Sequence, residues 1–127
     1  MQVFKFGGAS IKDANGIKNL VAVMQKTGYA DTLIVISAMG KTTNAMEAVV
    51  DAYFNDKPSV SSALEAVQTY HFGILRELFP PEGHPVHEKV RSLFEEVRGF
   101  LAWNKSPKYN FVYDQVVGYG ELLSTVI

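Results

Sequence analysis

Two short stretches set glycine beside lysine and a hydroxyl, the combination that meets phosphate: KFGGAS at residues 5–10 and SAMGKTTN at residues 37–44. The second contains GKT, the ending of a P-loop, whose backbone amides wrap phosphates only when another glycine stands five positions before the one preceding the lysine. Val35 holds that place, so the P-loop match fails. The first stretch puts Lys5 at the end of a β-like run, with Gly7, Gly8 and Ser10 following before a helix. At the carboxyl end of a parallel strand, glycine lets phosphate oxygens reach backbone N–H groups while lysine supplies charge. The same Gly-Gly pair also serves as a purely steric turn.

These stretches need elements to hold them. QVFKF (residues 2–6) alternates polar and apolar β-formers and is stopped by Gly7-Gly8, which predicts a strand. Ile17, Leu20, Val21 and Met24 fall at helical spacing, with Asp13 placed to cap the helix and Gly28 to end it. TLIVIS (residues 32–37) is a continuous apolar run of the kind buried on both faces of a parallel sheet. Together they make a right-handed βαβ unit. A helix is expected from about Ala45 to Phe54, with Asn44 and Glu47 as a capping box, so that its positive end is offered to an anion. Val60, Leu64, Val67, His71, Leu75 and Leu78 mark one long helix, and Val90, Leu93, Phe94, Val97 and Leu101 another. Pro80, Pro81, Gly83 and Pro85 form the bend of this helical hairpin. After the loop NKSPK (residues 104–108), one last helix is expected from Tyr109 through GYGELLSTVI.

Composition narrows the function classes. With 47% hydrophobic and 20% charged residues, the 127-residue chain suits a single packed domain. Twelve basic side chains against 13 acidic ones give no field to draw it onto nucleic acid or an anionic membrane. Without cysteine there is no disulfide framework or thiolate metal site, and with no leader-like or membrane-length apolar run the expected location is cytoplasmic. A two-stranded sheet is marginal alone and leaves open edges, and the apolar helical pattern runs on to Ile127. The chain is therefore expected to be the N-terminal piece of a longer protein, and pairing with a second copy, as a homo-oligomer, is expected to cover the open faces.

KFGGAS, VISAMGKTTN and GYGELLST, taken in order, resemble the motifs of aspartate kinases, a branch of the amino acid kinase family. Motifs in that family read KFGGTS, VSAMGxxTN and SxGExLS, and the likeness runs along the whole chain although family members are considerably longer. The resemblance implies a three-layer α/β/α, Rossmann-like fold with a parallel sheet, of which residues 1–127 are the N-terminal part of the kinase domain, carrying a helical hairpin insertion. It implies ATP and Mg2+ as cofactors, L-aspartate as substrate and no resident metal on these residues. Lys5 is then the catalytic contact to the transferring phosphate, with Gly7, Gly8 and Ser10 also at the ATP phosphates. Ser37 and Thr43 face aspartate, and Glu121 holds its ammonium group. Ala9 departs from the usual threonine, which alters one hydroxyl contact and leaves the glycine cradle. The implied reaction is phosphorylation of the aspartate side-chain carboxylate, the first step toward lysine, threonine and methionine. Residues 1–127 alone are expected to be inactive, because the rest of the phosphate site and the base pocket lie elsewhere.

Other residues have plainer readings. Lys41 is a solvated or substrate-facing loop lysine, His71 a packed core-edge residue, and His84 with His87 flank a bend without making a zinc site. Trp103, Tyr109, Phe111 and Tyr113 anchor the last helix, and Glu95 and Glu96 lie on a wet face. Two alternatives remain beside aspartate kinase: another amino acid kinase, and a noncatalytic α/β module whose hairpin docks a partner.

Overall fold

A computed structural model describes residues 1–80 and 83–127. Strand β1 (Gln2–Phe6) pairs in parallel with β2 (Thr32–Ile36), in a register that sets Phe4 against Ile34 and Phe6 against Ile36. Helix α1 (Ala14–Thr27) crosses between them; Asp13 accepts the Gly16 N–H at 2.8 Å to cap it, and Gly28 leaves it at φ 82°, a conformation that favours glycine. A 3₁₀ turn (Gly8–Ile11) links β1 to α1. The expected βαβ unit is present, with Ser37 falling just past the second strand.

Five more helices follow among the described residues: α2 (Thr42–Asn55), α3 (Val60–Leu78), α4 (Pro85–Trp103), α5 (Tyr109–Val117) and α6 (Tyr119–Val126). The apolar stripes read for α3 and α4 face one another. Leu64, Val67 and Leu75 join Val90, Phe94 and Val97 in a core that also takes Met46, Val49 and Val50 from α2. Full burial of one such side chain contributes about 1.5–3 kcal/mol, so this helical body carries most of the hydrophobic stabilisation. A smaller cluster of Ile11, Ala14, Met39 and Ile74, with Phe6, Ile17 and Ile36 against it, joins the body to the sheet.

Four expectations are corrected. Helix α2 starts at Thr42 rather than Ala45, and Asn44 does not cap it. The Thr42 hydroxyl and N–H both bond the Met39 carbonyl, at 2.6 and 3.0 Å, which begins the helix early; Glu47 instead accepts from the Tyr113 hydroxyl at 2.7 Å. The last helix is broken into α5 and α6 at Gly118. Strand β2 is not buried on both faces: Leu33 and Val35 remain 51% and 42% exposed, and the architecture is mostly helical around a two-stranded sheet. Trp103 anchors nothing, being 82% exposed, whereas Tyr109 and Tyr113 bond Asp51 and Glu47 on α2.

In the hairpin bend Pro85 takes the first turn of α4, and His84 accepts the Val86 N–H at 3.1 Å as its cap; Pro81 lies outside the described residues. His87 reaches back to the Phe79 carbonyl at 2.9 Å. Among the described residues no helix is long and apolar enough to cross a membrane.

His71 is more buried than a core-edge residue, with no solvent exposure. Its Nδ1 donates to the Val67 carbonyl at 2.8 Å, leaving Nε2 buried without a partner between Tyr70 and Phe94. Burial lowers its pKa below 6.5, opposed by the bond to Val67. The unfolded chain therefore takes up this proton first: the contribution is complete above pH 6.5 and is lost as pH falls toward the folded-state pKa. We expect the urea midpoint, followed by circular dichroism, to fall between pH of about 7.5 and about 5.5, and His71→Leu to reduce that fall. An unchanged acid dependence in His71→Leu would remove His71 as its source.

Candidate functional site

Parallel pairing makes both strands end on the same side, so the residues after Phe6 and after Ile36 leave the sheet together. Two backbone hydrogen bonds carry the pairing beyond the strands. The Ser37 N–H donates to the Phe6 carbonyl at 3.1 Å, and the Gly40 N–H to the Gly8 carbonyl at 3.0 Å. The turns approach so closely that a Cβ on Gly8 would stand 2.7 Å from the Gly40 carbonyl oxygen and 2.8 Å from that of Ala38. Only glycine fits there. Gly7 differs, since a Cβ on it would meet nothing within 4 Å.

Gly120 brings the third stretch to the same junction. A Cβ there would lie 3.1 Å from Ala38 Cβ and 3.2 Å from Thr42 Cγ2, so the start of α6 packs directly on the 38–42 turn. The turn is braced from below by Met39, fully buried, and from the hairpin by Tyr70, whose hydroxyl donates to the Lys12 carbonyl. Burial, and then the charge of Asp13, push the Tyr70 phenol above its usual range.

The residues read as functional sit around this junction. Lys5 is exposed and in register with Val35 on the open face of the sheet, opposite the face where Phe4 and Phe6 stack. Ser10 is exposed in the 3₁₀ turn, Ser37 is half-buried just after β2, and Thr43 is half-buried in the first turn of α2. Glu121 is exposed in the first turn of α6, next to Gly120. Among the described residues the side chains of Lys5, Ser10, Ser37, Thr43 and Glu121 make no internal hydrogen bond or ion pair with one another. Their polar groups are free for a ligand. Lys41 is likewise exposed.

Three residues of the junction were not singled out from the sequence. Thr42 is 2% exposed and could have been found, because it heads the stripe Met46, Val49 and Val50 at helical spacing. Gly120 and Tyr70 had no local signal, as both act through partners distant in the chain. Cavities of about 330 and about 510 Å3 lie elsewhere, at the open end of the hairpin around Tyr53 and Lys57. The meeting of the three stretches marks the candidate site better than cavity size does, because ligands of parallel sheets bind in crevices at the strand ends.

The two glycines of KFGGAS should separate in mutagenesis. Gly8→Ala drives a methyl into two backbone oxygens and is expected to cost about 1–3 kcal/mol, while Gly7→Ala stays within about 0.5 kcal/mol, measured by denaturant unfolding. Equal effects would contradict the close approach.

No protein-family model matches the chain. It is 26% identical over 123 residues to the bifunctional aspartokinase/homoserine dehydrogenase 2 of Escherichia coli K12, covering 97% of this chain and 15% of that protein. The chloroplastic bifunctional aspartokinase/homoserine dehydrogenase 2 of Arabidopsis thaliana is 30% identical over 128 residues, covering 96% of this chain and 14% of the relative. Among solved structures, Escherichia coli aspartokinase III in complex with lysine and aspartate superposes with a TM-score of 0.79 at 26% identity, covering 99% of this chain and 27% of that one. The same enzyme in complex with aspartate and ADP matches equally, with a TM-score of 0.79. The chain thus spans well under a third of the length of each of these relatives.

Proposed function

Because this chain is an aspartokinase homologue along nearly its whole length, we propose that the whole protein transfers the γ-phosphoryl group of ATP to the side-chain carboxylate of L-aspartate. The product is 4-phospho-L-aspartate, the opening step toward lysine, threonine and methionine. The observation that carries this reading is the packing of Gly8 and Gly120 on one turn, which gathers the three motif stretches at the ends of the two strands. The complex of a solved relative with aspartate and ADP supports aspartate and an adenine nucleotide as the ligands.

The chemistry follows from the acceptor. A carboxylate is already a nucleophile at neutral pH, so it attacks the γ-phosphorus directly, the bond to the ADP oxygen breaks, and no general base is needed. The protein's task is to bring two anions together and offset their charge. In this reading Lys5 and the backbone N–H groups of Gly7 and Gly8 meet the transferring group, where preorganised donors lower the barrier as charge develops. Ser10 adds a hydroxyl to the nucleotide phosphates. Ser37 and Thr43 hold the aspartate carboxylates beside the first turn of α2, which no side chain caps, and Glu121 takes the ammonium group. Among the described residues no three His, Cys, Asp or Glu side chains gather as a metal site. Mg2+ would come with ATP, whose phosphates hold it, and no residue of 1–127 is assigned to it.

In the whole protein the open face of the sheet, with Val3, Leu33 and Val35 exposed, is covered in a three-layer α/β/α arrangement. The protein is cytoplasmic and assembles as a homo-oligomer, and residues 1–127 alone do not turn over substrate.

The test is ADP release by the whole protein as aspartate is titrated in, with release expected to saturate with aspartate. Lys5→Ala is expected to lower kcat by about 10²-fold or more while the aspartate KM moves less than about threefold. Release that ignores aspartate overturns the substrate, and full turnover in Lys5→Ala removes that lysine from the mechanism.

A further inference from the structure

The 38–42 turn is gripped from two sides. On one, the Gly40 N–H donates to the Gly8 carbonyl at 3.0 Å. On the other stands Tyr70, from the middle of α3, with its hydroxyl oxygen 2.6 Å and its Cζ 3.4 Å from the place a Cβ on Gly40 would take. That oxygen also bonds the Lys12 carbonyl, just past the 3₁₀ turn (Gly8–Ile11) that KFGGAS enters. One phenol therefore touches both turns: the one read as facing the acceptor and the one leading away from the phosphate glycines. Gly40 itself sits at φ 55°, a backbone conformation that glycine adopts without strain. Its missing side chain leaves the space the phenol uses.

A brace of this kind has a direct consequence. Two loops that converge on a ligand hold it only as well as their separation is fixed, and a shift of an ångström in a positioning contact is enough to weaken binding or transfer. The Ser37–Phe6 and Gly8–Gly40 hydrogen bonds join the loops along the strand ends, and Tyr70 adds a contact to the same turn from α3, on the far side of Gly40. Tyr70 belongs to the hairpin, so the hairpin becomes part of the site's support.

We propose that Tyr70 is a positioning residue for the acceptor loop, locking the Gly40 turn against the Lys12 turn so that Ser37 and Thr43 keep their spacing from the glycines of KFGGAS. This inference rests on the aspartate kinase reading for its kinetic consequence, and on geometry alone for the brace.

The experiment uses the whole protein and Tyr70→Phe, which keeps the ring and removes one oxygen. The aspartate KM is expected to rise about fivefold with kcat changed less than about twofold. Amide exchange is expected to accelerate within residues 38–42 and to stay unchanged in α3 and α4. Gly40→Ala, whose methyl would strike the Tyr70 oxygen, is expected to raise the KM by about tenfold or more in the native background and by clearly less in the Tyr70→Phe background, because the oxygen is gone. Wild-type KM together with wild-type exchange in Tyr70→Phe overturns the proposal, as do effects of the two substitutions that simply multiply, or faster exchange spread across the whole hairpin. If the unaltered protein shows no aspartate-dependent ADP release, the kinase reading fails by itself, and the exchange pattern of the single and double variants still decides the brace.

Discussion

Everything at the candidate site depends on how closely two backbone turns approach where Gly8 meets Gly40 and Ala38. Carbonyl oxygens lie within 3 Å of where a Cβ would stand on Gly8. No side chain can enter without moving backbone, and a hydrogen bond from Gly40 to Gly8 closes the contact. The contact exists because parallel strands end on the same side, so the same hydrogen-bonding pattern that makes the sheet also delivers both turns to one place. Gly120 then repeats the device with side-chain carbon in place of carbonyl oxygen, seating α6 on Ala38 and Thr42.

The stabilising energy lies away from this junction. The large apolar cluster is shared by helices α2 to α6, while the sheet contributes two short strands that expose Val3, Leu33 and Val35 on one face and Ile34 on the other. Among the described residues Lys5, Ser10 and Glu121 stay exposed and unpaired at the surface while the helices behind them supply rigidity. Met39 and Tyr70 join the two parts, one through burial in the small cluster beside Ile11 and Ile74, the other through its hydroxyl.

Near neutrality of the chain as a whole sharpens the role of local charge. With 12 basic and 13 acidic residues there is no general attraction for anions, so any anion recognition must come from single lysines, backbone N–H groups and helix starts. That is the chemistry on display at the strand ends. It also accounts for the GKT sequence, in which Lys41 is exposed and Thr42 turns inward to bond the Met39 carbonyl rather than meeting phosphate.

Sequence alone determined the elements whose periodicity is strong: both strands, α1 with its Asp13 cap, and the α3 and α4 stripes, because burial of one face writes itself into residue spacing. It also named the three stretches that belong together, through glycines beside lysine and hydroxyls and through their likeness to a known set of motifs. Tertiary structure decided the rest. The start of α2 was set by a bond from Thr42 to Met39 that outcompeted Asn44, and Gly118 divided a pattern that reads as one continuous helix. Exposure of Leu33 and Val35 depends on which layers are present and not on their own apolar character. The parts played by Gly120 and Tyr70 arise from partners far away in the chain, and contacts of that kind leave no local periodicity to read.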